Sequence, residues 1–146
     1  MTKAQWRILI IDDLPVWATV IRDMATLLKS EVNLATNLSV AMRMLNNWEP
    51  HLILLDMHMP RDKWEPIAEL QDKYDPSLKT LAFCEQITAD PKWSQIMVVM
   101  TSVEEQSRLQ ELASAAGAHA FFTKDDFNGQ KLQELLRQLD QRDTAA

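Results

Sequence analysis

Three carboxylates, a hydroxyl and an ammonium directly follow short apolar runs in this sequence. Asp12 and Asp13 follow RILII, Asp56 follows HLILL, Thr101 follows QIMVVM, and Lys124 follows AHAFFT. Three acids in one crevice repel one another, and the arrangement becomes reasonable when a hard divalent cation joins them; Mg²⁺ prefers oxygen ligands and keeps several waters. A cation also shields an incoming phosphoryl group from the acids, and an ammonium and a hydroxyl are the donors that its oxygens require. These residue types suit phosphoryl transfer onto a carboxylate. An Asp-Asp pair alone says less, because such acids also cap the next helix or form surface ion pairs. The signal is five residues at the ends of four runs.

Those runs must be strands for the five residues to meet. Arg7–Ile11 is rich in branched side chains and stops at acids, as expected of a strand buried on both faces. After Pro15, acceptable in a first helical turn, Val16, Val20, Met24, Leu27 and Leu28 recur at helical spacing and predict an amphipathic helix over Val16–Lys29. Glu31–Thr36 reads as a second strand, and Leu38–Trp48 as a helix N-capped by Asn37. His51–Leu55 is a third strand, Ser77–Ala89 a helix and Gln95–Met100 a fourth strand. Glu104–Ala116 is a helix closed by Gly117, Ala118–Thr123 a fifth strand, and Asn128–Leu139 a last amphipathic helix. Pro60–Pro76 is polar, carries three prolines and reads as an extended loop with at most short helical pieces.

Five strands alternating with five helices predict a doubly wound α/β domain. Parallel neighbours need crossover connections, and right-handed crossovers place helices on both faces of the sheet. Ligands of such sheets bind beyond the carboxyl ends of the strands, where the five residues fall.

Composition bounds the rest. A chain of 146 residues, 47% hydrophobic and 25% charged, fits one ordinary domain and excludes wholesale disorder. No apolar stretch reaches the roughly 20 residues of a bilayer span, and the MTKAQWR start lacks the apolar segment of a secretory signal. A net charge of -6 argues against direct binding of nucleic acid through its phosphates. The lone Cys84 forms no intramolecular disulfide, so a cytoplasmic setting is expected; among Leu81, Phe83 and Ile87 it reads as a small buried side chain. His51 and His119 lack the partners of a hydrolase triad and read as structural or solvent-facing.

In ILIIDDLP (8–15), LILLDMHMP (52–60), VVMTS (98–102) and GAHAFFTKD (117–125) the chain resembles the receiver domain of two-component response regulators, over nearly its whole length and in the right order. The resemblance implies a flavodoxin-like sheet of strand order 2-1-3-4-5 and a single receiver domain over 1–146. It implies Asp56 as phosphoacceptor, Asp12 and Asp13 as the acidic Mg²⁺ pair, and the backbone carbonyl of His58 as a further metal ligand. Thr101 takes the place of the switch hydroxyl, Lys124 of the conserved-type lysine, and Phe121 of the rotating switch aromatic. A static core role for Phe121 is equally open, since Phe121 and Phe122 alternate across a strand. The phosphoryl group would come from a histidine kinase or phosphotransfer protein. Its charge would draw in Thr101 and Lys124 and remodel the surface of the fourth helix, fifth strand and fifth helix, where a downstream protein partner binds or a homodimer forms.

Three departures are visible. Asp56 and Thr101 stand 45 positions apart, roughly 15 more than the family's usual interval, which places an insertion at about 61–76. Trp64 and Tyr74 would make it a flap beside the site, governing partner choice or shielding the acyl phosphate. The glycine-containing loop after the Met-Pro pair is missing. Asp125 follows Lys124 where the family usually has proline, so a trans peptide or local strain is expected there. His58 and Val103 occupy the positions that tend to tune dephosphorylation. Two other readings compete with a non-enzymatic signalling receiver. An aspartate-nucleophile phosphatase wants a second acid two residues beyond its nucleophile, where this chain has Leu14. A receiver-like docking module that is never phosphorylated would not need the full acidic and donor set.

Overall fold

Branched, apolar strands alternate with helices along the chain and build one parallel sheet. The structure, a computed structural model, describes residues 6–145, with side chains described through Arg142; residues 1–5, part of the MTKAQWR start, and residue 146 lie outside the described residues. The elements are β1 (Arg7–Ile11), α1 (Pro15–Leu27), β2 (Glu31–Ala35), α2 (Leu38–Asn47), β3 (Leu52–Asp56), α3 (Lys79–Ala89), β4 (Met97–Ser102), α4 (Ser107–Ala115), β5 (Ala120–Thr123) and α5 (Gly129–Ala145). The sheet order is β2-β1-β3-β4-β5 with every pair parallel, the doubly wound fold expected. No described helix is long and apolar enough to cross a membrane.

Side-chain alternation divides the core between the two faces of the sheet. Leu9, Ile11, Ile53, Leu55, Val98 and Met100 meet α2, α3 and α4 through Leu45, Phe83 and Leu109. Ile8, Ile10, Leu52, Leu54, Met97 and Val99 meet α1 and α5 through Ile21, Leu132 and Leu135. Both faces are buried along β1, β3 and β4, which is why these strands lack polar alternation, whereas the edge strand β2, EVNLA, alternates.

Helix ends follow local chemistry. The Asn37 side chain accepts the Val40 N–H at 2.8 Å and starts α2, as its residue type predicts. Gly117 ends the α4 region at φ +96°, where a Cβ would stand 2.3 Å from the Thr88 hydroxyl that donates to the Ala116 carbonyl. Gly117→Ala is therefore expected to cost about 2 kcal/mol, read as a lower urea midpoint; an unchanged midpoint would contradict the packing described.

Three expectations are corrected. On α1, Val16 and Leu27 are 79% and 83% exposed and Val20 is exposed too; Ala18, Ile21 and Ala25 form the buried face. Ala18 and Ala25 let the helix approach the sheet around Ile21; Met24 and Leu28 pack at the edge of that face, and Val16, Val20 and Leu27 line the outer side. Asp56 and Thr101 lie within the ladder as register partners rather than just beyond it. The α4 helix begins only at Ser107, not Glu104, and α5 runs past Leu139 to Ala145.

The segment 57–78 contains 3-10 turns at Ala68–Leu70 and Pro76–Leu78, in keeping with short helical pieces. It is not a free flap. Trp64 is buried edge-on against Phe83 of α3, with ring centroids 5.1 Å apart. Glu65 pairs with Lys79 at 2.9 Å, and Glu85 receives the Lys73 ammonium at 2.8 Å and the Tyr74 hydroxyl. Those two hydrogen bonds hold the Glu85 carboxyl below its ordinary range, while burial and the Glu85 contact push the Tyr74 phenol up. Asp62 accepts the Ser39 N–H at the start of α2 and the Trp64 N–H. The cover explains why the five consecutive residues Thr80–Cys84 are all buried on one helix. Burial also pushes the Cys84 thiol up to about 12, leaving no reactive thiolate at neutral pH.

Candidate functional site

β1 delivers Asp12 to the carboxyl end of the sheet, where the Asp12 N–H donates to the Ala35 carbonyl at 3.0 Å. Its Oδ1 accepts the Leu14 N–H at 2.8 Å, an Asx turn that leads into Pro15 and α1. The turn thus occupies one oxygen of Asp12. The other faces Lys124.

Asp56 ends β3 beside Thr101, and the Met57 N–H continues the pairing by donating to the Thr101 carbonyl at 2.7 Å. The His58 N–H donates to Asp56 Oδ1 at 3.1 Å. On the other side, Lys124 Nζ donates to Asp56 Oδ2 at 3.3 Å and stands 2.7 Å from Asp12 Oδ2, the latter an ion pair outside hydrogen-bond alignment. One buried ammonium therefore bridges two buried carboxylates. Burial, then the charge of Asp12, raises the Asp56 carboxyl from 3.8 to about 6, against the opposing pull of the His58 N–H and Lys124.

Asp13 is exposed, and one carboxylate oxygen from each of Asp12, Asp13 and Asp56 lies within 4.8 Å of the others. This donor set is all oxygen, partly open to solvent and short of positive charge, so it fits Mg²⁺ with waters retained. Thr101 is fully buried and its hydroxyl has no hydrogen-bond partner among the described residues. Burying such a donor unpaired costs about 1–3 kcal/mol.

The structure brings together Asp12, Asp13, Asp56 and Lys124 and sets Thr101 next to Asp56 in register. His58 contributes its backbone there while its side chain is exposed; Val103 is exposed as well. Phe121 is half-buried against the α3 and α4 side of the core, whereas Phe122 packs on the opposite face against Phe127, ring centroids 5.4 Å apart. Among the described residues no peptide bond is cis, so the Lys124–Asp125 bond is trans. His51 is structural, its Nδ1 accepting the Arg7 N–H at 2.9 Å, and His119 meets Gln138 at the surface.

Two residues near the site escaped the sequence reading. Trp17 of α1 presents its ring 4.9 Å from Lys124 Nζ, a cation–π contact that steadies the ammonium. Helical spacing placed Trp17 on α1 but could not say that β5 would bring a lysine over it. Thr80, within the apolar run of α3, donates its hydroxyl to the Met57 carbonyl. Its only sequence signal is a β-branched hydroxyl at the start of a buried helix.

A family model for the response regulator receiver domain matches residues 8–137. No curated protein matches the sequence. Among solved structures, a CheY-like receiver domain protein from Methanospirillum hungatei is similar at 19% identity, with 98% of this chain and 100% of that one covered and a TM-score of 0.73. The receiver domain of a DNA-binding response regulator from Colwellia psychrerythraea shows 21% identity, coverage of 94% and 99%, and a TM-score of 0.73. The receiver domain of a sensor histidine kinase from Pseudomonas aeruginosa, which holds a magnesium ion in its active-site cleft, shows 21% identity, coverage of 93% and 98%, and a TM-score of 0.71. These structures share the fold, and the family match extends over most of the sequence. The chain belongs to the response regulator receiver domain family, the receiving modules of two-component signalling.

Proposed function

We propose that this chain is a single receiver domain, with an insertion at about 61–76, that accepts a phosphoryl group on Asp56 from a histidine kinase or phosphotransfer protein. The observation that carries the reading is the joint placement of Asp56 with Asp12, Asp13 and Lys124, beside the unpartnered hydroxyl of Thr101. Asp12, Asp13, Asp56 and the His58 carbonyl would hold Mg²⁺, which supplies charge neutralisation and Lewis-acid assistance at the phosphoryl oxygens. An Asp56 oxygen attacks phosphorus, the O–P bond forms, and the P–N bond to the donor histidine breaks with its electron pair returning to the imidazole. Lys124 turns from bridging two carboxylates to pairing with the new dianion, and Thr101 donates to another of its oxygens.

A groove of about 540 Å³ between α1 and the loop after β5 supports docking of a protein donor. It is mainly apolar, and Leu14, Val16 and Val20 lead along it to Lys124, which itself touches Asp56. Output follows from the two pulled donors. Inward movement of Thr101 makes room for Phe121 and shifts the α4, β5 and α5 surface between two existing states, toward a protein partner or a homodimer. Such a domain is a cytoplasmic signalling module without a turnover substrate of its own.

The test uses wild type with Mg²⁺ and phosphoramidate or acetyl phosphate, and in parallel a phosphorylated phosphotransfer protein. A base-labile mass increase on Asp56, abolished by EDTA, is the expected result. Beryllofluoride with Mg²⁺ should also change Trp17 fluorescence as Lys124 shifts under it. Absence of the adduct from every donor, together with an unchanged spectrum, would overturn the proposal.

A further inference from the structure

Met57, the residue just after the acceptor, is held through both of its flanking peptide groups. The Met57 N–H donates to the Thr101 carbonyl at 2.7 Å, and the Met57 carbonyl accepts the hydroxyl of Thr80 from the first turn of α3, across 23 positions of sequence. Met57 is fully buried and Thr80 nearly so, which keeps water from replacing the hydroxyl. The next residue, His58, donates its N–H to Asp56 Oδ1. The Met57–His58 peptide, whose carbonyl Thr80 holds, thus presents its own N–H to the acceptor carboxylate and is the backbone from which the His58 carbonyl follows.

We infer that Thr80 is a positioning residue for the cation site: its hydroxyl fixes the Met57–His58 backbone so that the His58 carbonyl and Asp56 face the acidic pair. The inference rests on the reading of Asp12, Asp13, Asp56 and His58 as the Mg²⁺ ligands. A threonine inside a helix often returns its hydroxyl to its own preceding turn. Here it reaches out of the helix to a carbonyl one residue past the acceptor, so α3 and the segment packed on it are tied to the site by a single donor. Groups that orient ligands in this way typically tune metal affinity 10–100-fold.

The experiment compares wild type, Thr80→Val, Thr80→Ala and Thr80→Ser by Mg²⁺ titration of tryptophan fluorescence, by Mn²⁺ binding, and by amide hydrogen exchange at His58 without metal. Valine keeps the shape and removes the donor; alanine serves if valine does not fold. Thr80→Val, or Thr80→Ala in its place, should weaken cation binding roughly tenfold and speed exchange at His58, whereas Thr80→Ser should restore both to near wild type. A purely structural role would lower the thermal midpoint and leave the affinity of the folded protein unchanged. Wild-type affinity in the valine and alanine variants would overturn the inference alone, as would equal loss in the serine variant. Wild type that binds neither cation would overturn the reading of the site along with it.

Discussion

Asp56→Asn should yield no base-labile adduct with any phosphoryl donor, while gaining stability in metal-free buffer. Asparagine keeps an oxygen for the His58 N–H and nearly the same volume, so the loss follows from the missing nucleophilic oxygen rather than from unfolding. The gain follows from charge. In the folded protein the Asp56 carboxyl titrates near 6 instead of 3.8, because burial and Asp12 disfavour its ionised form. Folding stability is therefore lost as pH rises through this interval and stays lost at neutral pH. Asparagine does not titrate, so the two proteins should differ little from this group below about pH 4 and diverge toward neutrality by up to about 3 kcal/mol. Urea midpoints at several pH values with EDTA measure the divergence, and mass spectrometry with phosphoramidate measures the adduct. A labelled Asp56→Asn protein would remove Asp56 as acceptor; a variant less stable than wild type at pH 7 would mean that Lys124 outweighs the burial of the charge.

The residues of this site were legible because strands buried on both faces leave few places for charge. Runs such as RILII and HLILL contain no acid before the carboxyl end of the strand, so Asp12, Asp13 and Asp56 mark strand ends, and the parallel order carries those ends to one edge. The outer side of α1 was less legible. Val16, Val20 and Leu27 have the spacing of a core face, yet Ala18, Ile21 and Ala25 are what the sheet covers. Periodicity shows that an apolar stripe exists but not whether the fold or a partner covers it. Segment 57–78 was opaque for another reason. Its anchors, Trp64 on Phe83 and Glu85 under Lys73 and Tyr74, join residues far apart in sequence, and polar, proline-bearing composition shows no period from which such contacts could be read. The bridging of Asp12 and Asp56 by Lys124 is likewise a property of three strand ends together.

That bridge leads to the largest stability effect expected. Lys124→Met keeps an unbranched side chain one atom shorter but deletes the ammonium that stands 2.7 Å from Asp12 and 3.3 Å from Asp56, both buried, and with it the cation–π contact to Trp17. Two uncompensated carboxylates then share a poorly solvated pocket with Asp13 at its mouth. Removing one partner from such a buried ionic cluster typically costs about 3–5 kcal/mol, equivalent here to a fall of about 10 °C in thermal midpoint with EDTA present. Mg²⁺ should recover a large part of that loss, because a cation among the acids replaces the missing charge. The midpoint gained on adding Mg²⁺ is therefore expected to be larger in Lys124→Met than in wild type, where lysine and cation compete for the same oxygens. Phosphorylation should be slowed even with Mg²⁺ saturating, since the new dianion has lost its ammonium partner. Differential scanning calorimetry with and without Mg²⁺ separates the two roles of the lysine. Equal Mg²⁺ effects in variant and wild type would show that the cation does not enter the cluster Lys124 neutralises, and an undiminished midpoint with EDTA would show that the two carboxylates do not both carry charge in the folded protein.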